Sequence, residues 1–299
     1  MARAIKNVLL VGGTGNVGSH ILAALLRTGL TVTVLTRGSR LFPSGVVVKK
    51  VDYENSKSLF EAMQGQDAVV DASFSVENDV SLKLIEAAAT SGVYRFITSD
   101  FGLDPDLPGV HDLPVFERKK KSYEAVKKKA RDTGLTYSLI VCGPFLDLNL
   151  SAGFAGIELK GRTATLFNDG KNVIPWTTLE DIGTATAGTL LHPEETSNRP
   201  VYIHSVFMSQ LQLLDAAKDA LGPDGWEISA QAMTPLFQKS MKEVQSGRIT
   251  PMTFGVQIQY AIATRELARP WDRDDNTLVG LQEWTTEQVR RLIKRLASQ

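Results

Sequence analysis

Cysteine is nearly absent: the 299-residue chain has one, Cys142. This excludes an intrachain disulfide and any cysteine-cluster zinc or iron–sulfur site. The four histidines, His20, His111, His192 and His204, stand far apart without the spacing of a metal site, so no metal is expected. Net charge is missing too, since 33 Lys and Arg balance 33 Asp and Glu. A chain built to hold nucleic acid carries a basic excess, and none is expected as a partner here. The first apolar run, Val8–Val11, is too short for a signal-peptide core or a membrane span. No membrane association is expected, and a reducing, cytoplasmic setting is the default. Finally, no acidic residue precedes Asp52.

What is present is an ordinary globular composition, 43% hydrophobic and 22% charged. The first 140 residues alternate two patterns. Val8–Val11, Thr31–Thr36, Val46–Val48, Ala68–Val70, Val93–Thr98 and Leu135–Val141 are apolar or β-branched runs of strand length. Between them, Gly15–Arg27, Ser56–Met63 (Ser56 as N-cap), Val80–Thr90 and Phe116–Thr133 carry helical spacing, the last two closed by Gly92 and Gly134. Strand and helix in alternation predict an α/β fold, a doubly wound parallel sheet of the Rossmann type. The second half changes character. It offers strands at Thr163–Phe167 and Pro200–Ser205 and a helix at Glu180–Leu191. From Ser209 onward the pattern is mostly helical, near Leu211–Leu221, Pro235–Gln245, Phe254–Ala268 and Thr286–Ala297. The reading is a sheet domain over residues 1–150, with a strand returning to it near 200–205, and a smaller, discontinuous substrate-binding region over 151–299.

Between the first strand and helix lies Gly12-Gly13-Thr14-Gly15-Asn16-Val17-Gly18. A tight turn there needs residues without Cβ, and the helix N-terminus offers free N–H groups and a positive dipole to a diphosphate. Strand–turn–helix context is what confirms such a loop as a dinucleotide cradle, and it makes Gly12, Thr14, Gly15, Asn16, Val17 and Gly18 candidate cofactor ligands. An NAD site places Asp or Glu at the end of the second strand. Here that strand ends in Thr36-Arg37-Gly38-Ser39-Arg40. Arginine suits a 2′-phosphate, so the expected cofactor is NADP(H), with Arg37 on the phosphate and Asp52 near the adenine. Ser73-Phe74-Ser75, after the fourth strand, would line the groove at the carboxyl ends of the strands. Cys142-Gly143-Pro144-Phe145, after the sixth, would flank the nicotinamide through Phe145. Phe101, His111, Phe154 and Trp176 are candidates for a substrate pocket.

The glycine loop, Thr36-Arg37 and Arg95-Phe96-Ile97-Thr98-Ser99-Asp100-Phe101-Gly102 together resemble the isoflavone reductase / NmrA-like family, the atypical branch of the short-chain dehydrogenases. The family's usual motif after strand five is close to R-F-x-P-S-E-F-G; Thr98 and Asp100 replace its Pro and Glu. The likeness covers most of the first 205 residues. The family's reductases carry a lysine in F-x-x-K-x₆-V/L, matched by Phe116, Lys119 and Val126. The resemblance implies that Lys119 handles a proton beside a nicotinamide that delivers hydride to an enone or quinone methide. A literal YxxxK, Tyr123 to Lys127, competes for the role as acid and pKa-lowering cation. Tyr123 lies only eleven residues before Gly134, about half the interval the wider superfamily leaves. The basic run from Arg118 to Lys129 also reads as a solvated helix face.

Two functions of different class follow. One is an NADPH-dependent reductase of a small aromatic or conjugated carbonyl or quinone-methide-type compound, with Lys119 as proton donor or relay. The other is an NADP(H)-binding regulator without turnover, as in the NmrA branch of the family. Non-redox chemistry on a natural product is a further alternative. The substrate is expected to be a small molecule; the oligomeric state has no signature.

Overall fold

The computed structural model describes residues 4–74 and 79–299. The chain enters through β1 (Asn7–Val11), α1 (Asn16–Leu25), β2 (Thr31–Thr36), β3 (Val47–Lys50), α2 (Ser56–Met63), β4 (Ala68–Asp71), α3 (Val80–Thr90) and β5 (Arg95–Ile97). Two 3-10 turns lead to α4 (Glu117–Asp132) and β6 (Thr136–Val141). Then follow α5 (Leu146–Ser151), β7 (Ile157–Glu158), β8 (Thr163–Phe167), β9 (Ile174–Trp176), α6 (Leu179–Leu191), β10 (Arg199–Tyr202) and β11 (Val206–Met208). The last elements are α7 (Gln210–Leu221), β12 (Glu227–Gln231), α8 (Met233–Gln245), α9 (Pro251–Ala263) and α10 (Thr286–Ala297).

Seven strands form one sheet in the order β10-β6-β5-β4-β1-β2-β3, every pair parallel. β1 shows why the sheet is covered on both faces. Val8 and Leu10 point into the layer shared with α1 and α6, while Leu9 and Val11 point into the layer shared with α2, α3 and α4. All four are at most 1% exposed, each contributing about 1.5–3 kcal/mol by burial. The expected returning strand is β10, paired with β6 from Arg199 opposite Ser138 to Tyr202 opposite Val141. The buried Arg95 guanidinium braces this edge, donating to Thr136, Ser138 and Thr196 hydroxyls and to the Pro193 carbonyl.

The helices α7–α10 lie outside the sheet, around a second core that includes Trp176, Met208, Leu213 and Ile293. Two expectations need correction. The cap of α2 is Asn55, whose side chain accepts from the Ser58 N–H, and not Ser56. The second half is also less helical than expected: β9 pairs with β11, and β12-β8-β7 makes a three-stranded sheet. β12 is largely exposed on both faces, so it lacks the alternation that announces a half-buried strand. Among the described residues no helix is long and apolar enough to cross a membrane.

Candidate active site

The carboxyl ends of β1, β2, β4, β5 and β6 open into one cleft of about 1330 Å³, larger than the usual drug-sized pocket and roomy enough for two ligands together. One end is polar. Gly12 has φ +80°, and a Cβ there would lie 2.7 Å from the Ala72 carbonyl carbon. A Cβ on Gly18 would lie 2.7 Å from the carbonyl carbon of Gly12. Both glycines are therefore required by main-chain contact. Gly15 differs: its N–H closes a turn onto the Gly12 carbonyl at 2.9 Å, and the only atom near its missing Cβ is that oxygen, at 3.4 Å. Gly15 is also the N-cap of α1, with no side-chain cap and no acid in the first turn. That leaves a helix N-terminus able to receive an anion.

Gly12, Thr14, Gly15, Asn16 and Val17 line the cleft; Gly18 sits beneath it, allowing α1 to rest on the loop. Arg37 and Asp52 line the same end, with Arg40, Lys50 and Tyr53. Asp52 is exposed and accepts from the Glu54 N–H at 2.9 Å, holding the turn after β3. Lys50 was missed by the sequence reading; its signal is register, since it pairs opposite Thr36 and so emerges beside Arg37.

Beyond β4, the Asp71 carboxylate receives the Ser73 N–H and hydroxyl at 2.9 and 2.6 Å and the Ser81 hydroxyl at 2.5 Å. Burial raises its pKa against those bonds. Ser73 is thereby fixed at the wall, and its carbonyl accepts from the Ser99 hydroxyl at 2.7 Å. Phe74 is 82% exposed at the rim, where the Arg118 guanidinium lies 4.9 Å from its ring centre. Ser75 falls outside the described residues.

Lys119 rises from the first turn of α4 to the cleft. Its Nζ donates to the main-chain carbonyls of Asp100 and Phe101, the latter at 3.2 Å. A Cβ on Gly102 would stand 2.8 Å from that Nζ, so the glycine makes room for it. Burial lowers the Lys119 pKa, opposed by the charge of Asp100 and by Cys142. Asp100 is itself buried and pushed up to about 6 by desolvation, opposed by Lys119. Burial pushes the Cys142 thiol up to about 12. Tyr123 and Lys127 do not line this cleft. Tyr123 packs edge-on against His111 and Tyr137, its hydroxyl donates to Asp106 at 3.4 Å, and the Lys127 ammonium sits 3.9 Å from its ring centre.

Around Lys119 the cleft turns apolar, walled by Phe101, Leu103, Phe116, Phe145, Leu148 and Phe154, and by Ile258 and Ile262 of α9. Asn149 and Ser122 are polar side chains among them, the Asn149 amide donating to the Phe145 carbonyl at 2.6 Å. Phe101, Phe145 and Phe154 line the cleft. His111 and Trp176 do not. His111 belongs to the Tyr123 cluster, and Trp176 is buried in the second core with its indole N–H on the Met208 carbonyl at 3.0 Å. No cluster of metal-ligating side chains occurs among the described residues.

Residues 4–234 match the NmrA-like family. The chain belongs to that family. Among its relatives, Oxidoreductase aprR of Aspergillus flavus is 33% identical over 248 residues, covering 81% of this chain and 82% of the relative. Pinoresinol reductase 2 of Arabidopsis thaliana is 30% identical over 236 residues, 69% of this chain and 72% of the relative. Among solved structures, the leucoanthocyanidin reductase–NADPH binary complex from Vitis vinifera superposes with a TM-score of 0.78 at 17% identity, covering 98% of this chain and all of that one. That likeness shows the fold. In this NmrA-like chain Phe116, the N-cap of α4, and Lys119 and Val126 within it stand at different depths. Val126 is in the core, Phe116 underlies the cleft wall, and the Lys119 ammonium lies 5.6 Å from the Phe116 ring centre.

Proposed function

We propose that the protein is an NADPH-dependent reductase of a small aromatic or conjugated carbonyl or quinone-methide-type compound. The loop fits the cofactor's diphosphate: two glycines are forced by main-chain contact, the third leaves open space, and α1 begins there uncapped. Arg37, Arg40 and Lys50 at the same end favour the extra phosphate that distinguishes NADPH from NADH. Thr14, Asn16, Val17, Ser73, Phe74 and Phe145 would complete the cofactor's walls, with Asp52 beside the adenosine. When bound, NADPH supplies a hydride. The oxidoreductase and pinoresinol reductase relatives, and the NADPH of the Vitis vinifera complex, support the same reading.

The observation that carries the proposal is the Lys119 ammonium, held half-buried in that same cleft by two carbonyls. Two of its three protons are spoken for, leaving one to meet a substrate. As charge develops on the reduced compound, Lys119 Nζ gives that proton to the substrate oxygen or carbon and regains one from solvent. A lysine whose pKa is lowered by burial gives its proton more readily than an exposed one. The apolar walls exclude water and select an uncharged, flat molecule. A cytoplasmic setting agrees with a chain whose single thiol is buried.

The test is NADPH oxidation against quinones, enones and cinnamyl-type phenols, with wild type and Lys119→Ala. Turnover that Lys119→Ala loses supports the reading. Tight NADPH binding with no turnover on any of the three classes would favour the regulator.

A further inference from the structure

We propose that Asp100 is a positioning residue for the reduction: its buried, unpaired carboxylate keeps Lys119 in the ammonium form. This rests on the reading of Lys119 as the proton donor. Both Asp100 carboxylate oxygens are buried without a partner at full hydrogen-bond geometry, and the neighbouring buried Thr98 hydroxyl is the group that favours their ionised form. Among the described residues no other carboxylate is left this way. Asp71 has its serines, Asp181 has Ser205, and Asp275 has Arg199. A buried charge without an ion-pair contact is costly, and an amide of the same shape would avoid the charge. Such a group calls for a use.

The use is adjacent. Lys119 Nζ donates to the main-chain oxygen of Asp100 itself, so the ammonium is tethered to the residue whose side chain carries the charge, without forming an ion pair with it. The groups facing Lys119 are few. Arg118 on α4 and His111 on the preceding turn oppose or ignore its charge, and Cys142 at the end of β6 is a neutral thiol. Asp71 faces Asp100 from β4. Asp100 is thus the anion that counters the desolvation of Lys119. Burial alone would drive the lysine towards the free amine, which has no proton to give. An ordinary hydrogen-bonded ion pair would hold the ammonium too firmly. A carboxylate at one remove avoids both.

The experiment is an NMR titration of the full chain labelled at lysine Cε and aspartate Cγ, with the two signals assigned by their loss in Lys119→Met and Asp100→Asn. In Asp100→Asn the acid dissociation constant of Lys119 should rise about tenfold or more, and Asp100→Glu should restore most of the difference. Linkage is reciprocal, so Lys119→Met should raise the titration midpoint of Asp100 by a similar factor. This second arm tests the pair even where Asp100→Asn does not fold. An unchanged Lys119 midpoint in Asp100→Asn, or an unchanged Asp100 midpoint in Lys119→Met, overturns the proposal. Neither arm needs turnover: failure of wild type to oxidise NADPH would sink the reductase reading and leave the pairing standing on its own measurement.

Discussion

Alanine at Gly15 and at Gly18 should fail in different ways. At Gly18 the new Cβ would stand 2.7 Å from the Gly12 carbonyl carbon and 3.1 Å from the Gly13 Cα. These are main-chain atoms at the start of α1, so relief requires the helix and loop to part by several tenths of an ångström. Overpacking of this kind costs about 1–3 kcal/mol. In a chain of this size that is roughly 2–4 °C of melting temperature per kcal/mol, and somewhat less beyond 250 residues. At Gly15 the backbone is extended, φ −78° and ψ 172°, a conformation alanine adopts freely. Its Cβ would touch only the Gly12 oxygen at 3.4 Å, an ordinary contact, and otherwise project into the cleft. Gly15→Ala should therefore melt within about 1 °C of wild type. It should nevertheless lose NADPH affinity, because a methyl group would hold the diphosphate off the helix N-terminus. Loss of one or two charge-assisted hydrogen bonds is worth about 1.5–3 kcal/mol, or ten- to a hundredfold in Kd. Calorimetric melting and a fluorescence titration of NADPH, on the same two variants, read both effects. NADPH binding by Gly15→Ala as tight as wild type would place the diphosphate elsewhere. A wild-type melting temperature for Gly18→Ala would refute the close-packing argument.

Arg37→Ala should weaken NADPH binding about tenfold and leave NADH binding unchanged; the loss stays at the low end because Arg40 and Lys50 share the site, and parallel titrations of the two cofactors check it. Lys119→Ala should lower kcat by roughly a hundredfold or more with NADPH affinity kept, whereas Tyr123→Phe and Lys127→Ala should keep most of the rate; steady-state kinetics of the three variants decide between the two helical motifs. The Asp100 carboxyl is raised to about 6, so the folded chain binds its proton more readily than the unfolded chain does. Its ionisation therefore lowers stability as pH rises from about 4 through about 6. Asp100→Asn should gain on wild type across that interval by up to about 3 kcal/mol, measured as the difference between their urea midpoints at about pH 4 and about pH 8.

Much of the sheet was legible because its strands obey one rule. β2 is bounded as read, Thr31–Thr36, since a run of β-branched residues buried on both faces needs no partner pattern to announce itself. The glycine loop was legible because its requirement is steric and local. The second half was not, since β9 and β11 are three residues each, too short for any period. Trp176 and His111 were misplaced because an aromatic side chain reads the same whether it walls a cleft or fills a core; the Met208 carbonyl that satisfies the Trp176 indole is 32 residues away. Ile258 and Ile262 reach the cleft from α9, and nothing in their own neighbourhood marks them. Lys119 and Tyr123 share a helix face in sequence terms, yet only one meets the cleft. Four residues are about 6 Å along the axis, enough to carry Tyr123 down to the ring of His111.

The layer over α1 has a consequence for how the chain is made. Val8, Leu10, Ile21, Leu25, Val32 and Val34 share a core with Ile182, Leu190, Val201 and Ile203, and finally with Val279 and Leu281. A ribosome that has released the glycine loop, α1 and β2 must still supply about 150 residues before α6 can cover α1. Leu281 comes later still. At roughly 5–20 residues per second, the face of α1 waits on the order of 10 s for its cover. A fragment ending near residue 150 would keep that face bare permanently. It would also leave β6 as an open edge, since β10 is its neighbour. β1, α1 and the glycine loop between them are thus synthesised well before the layer that covers α1.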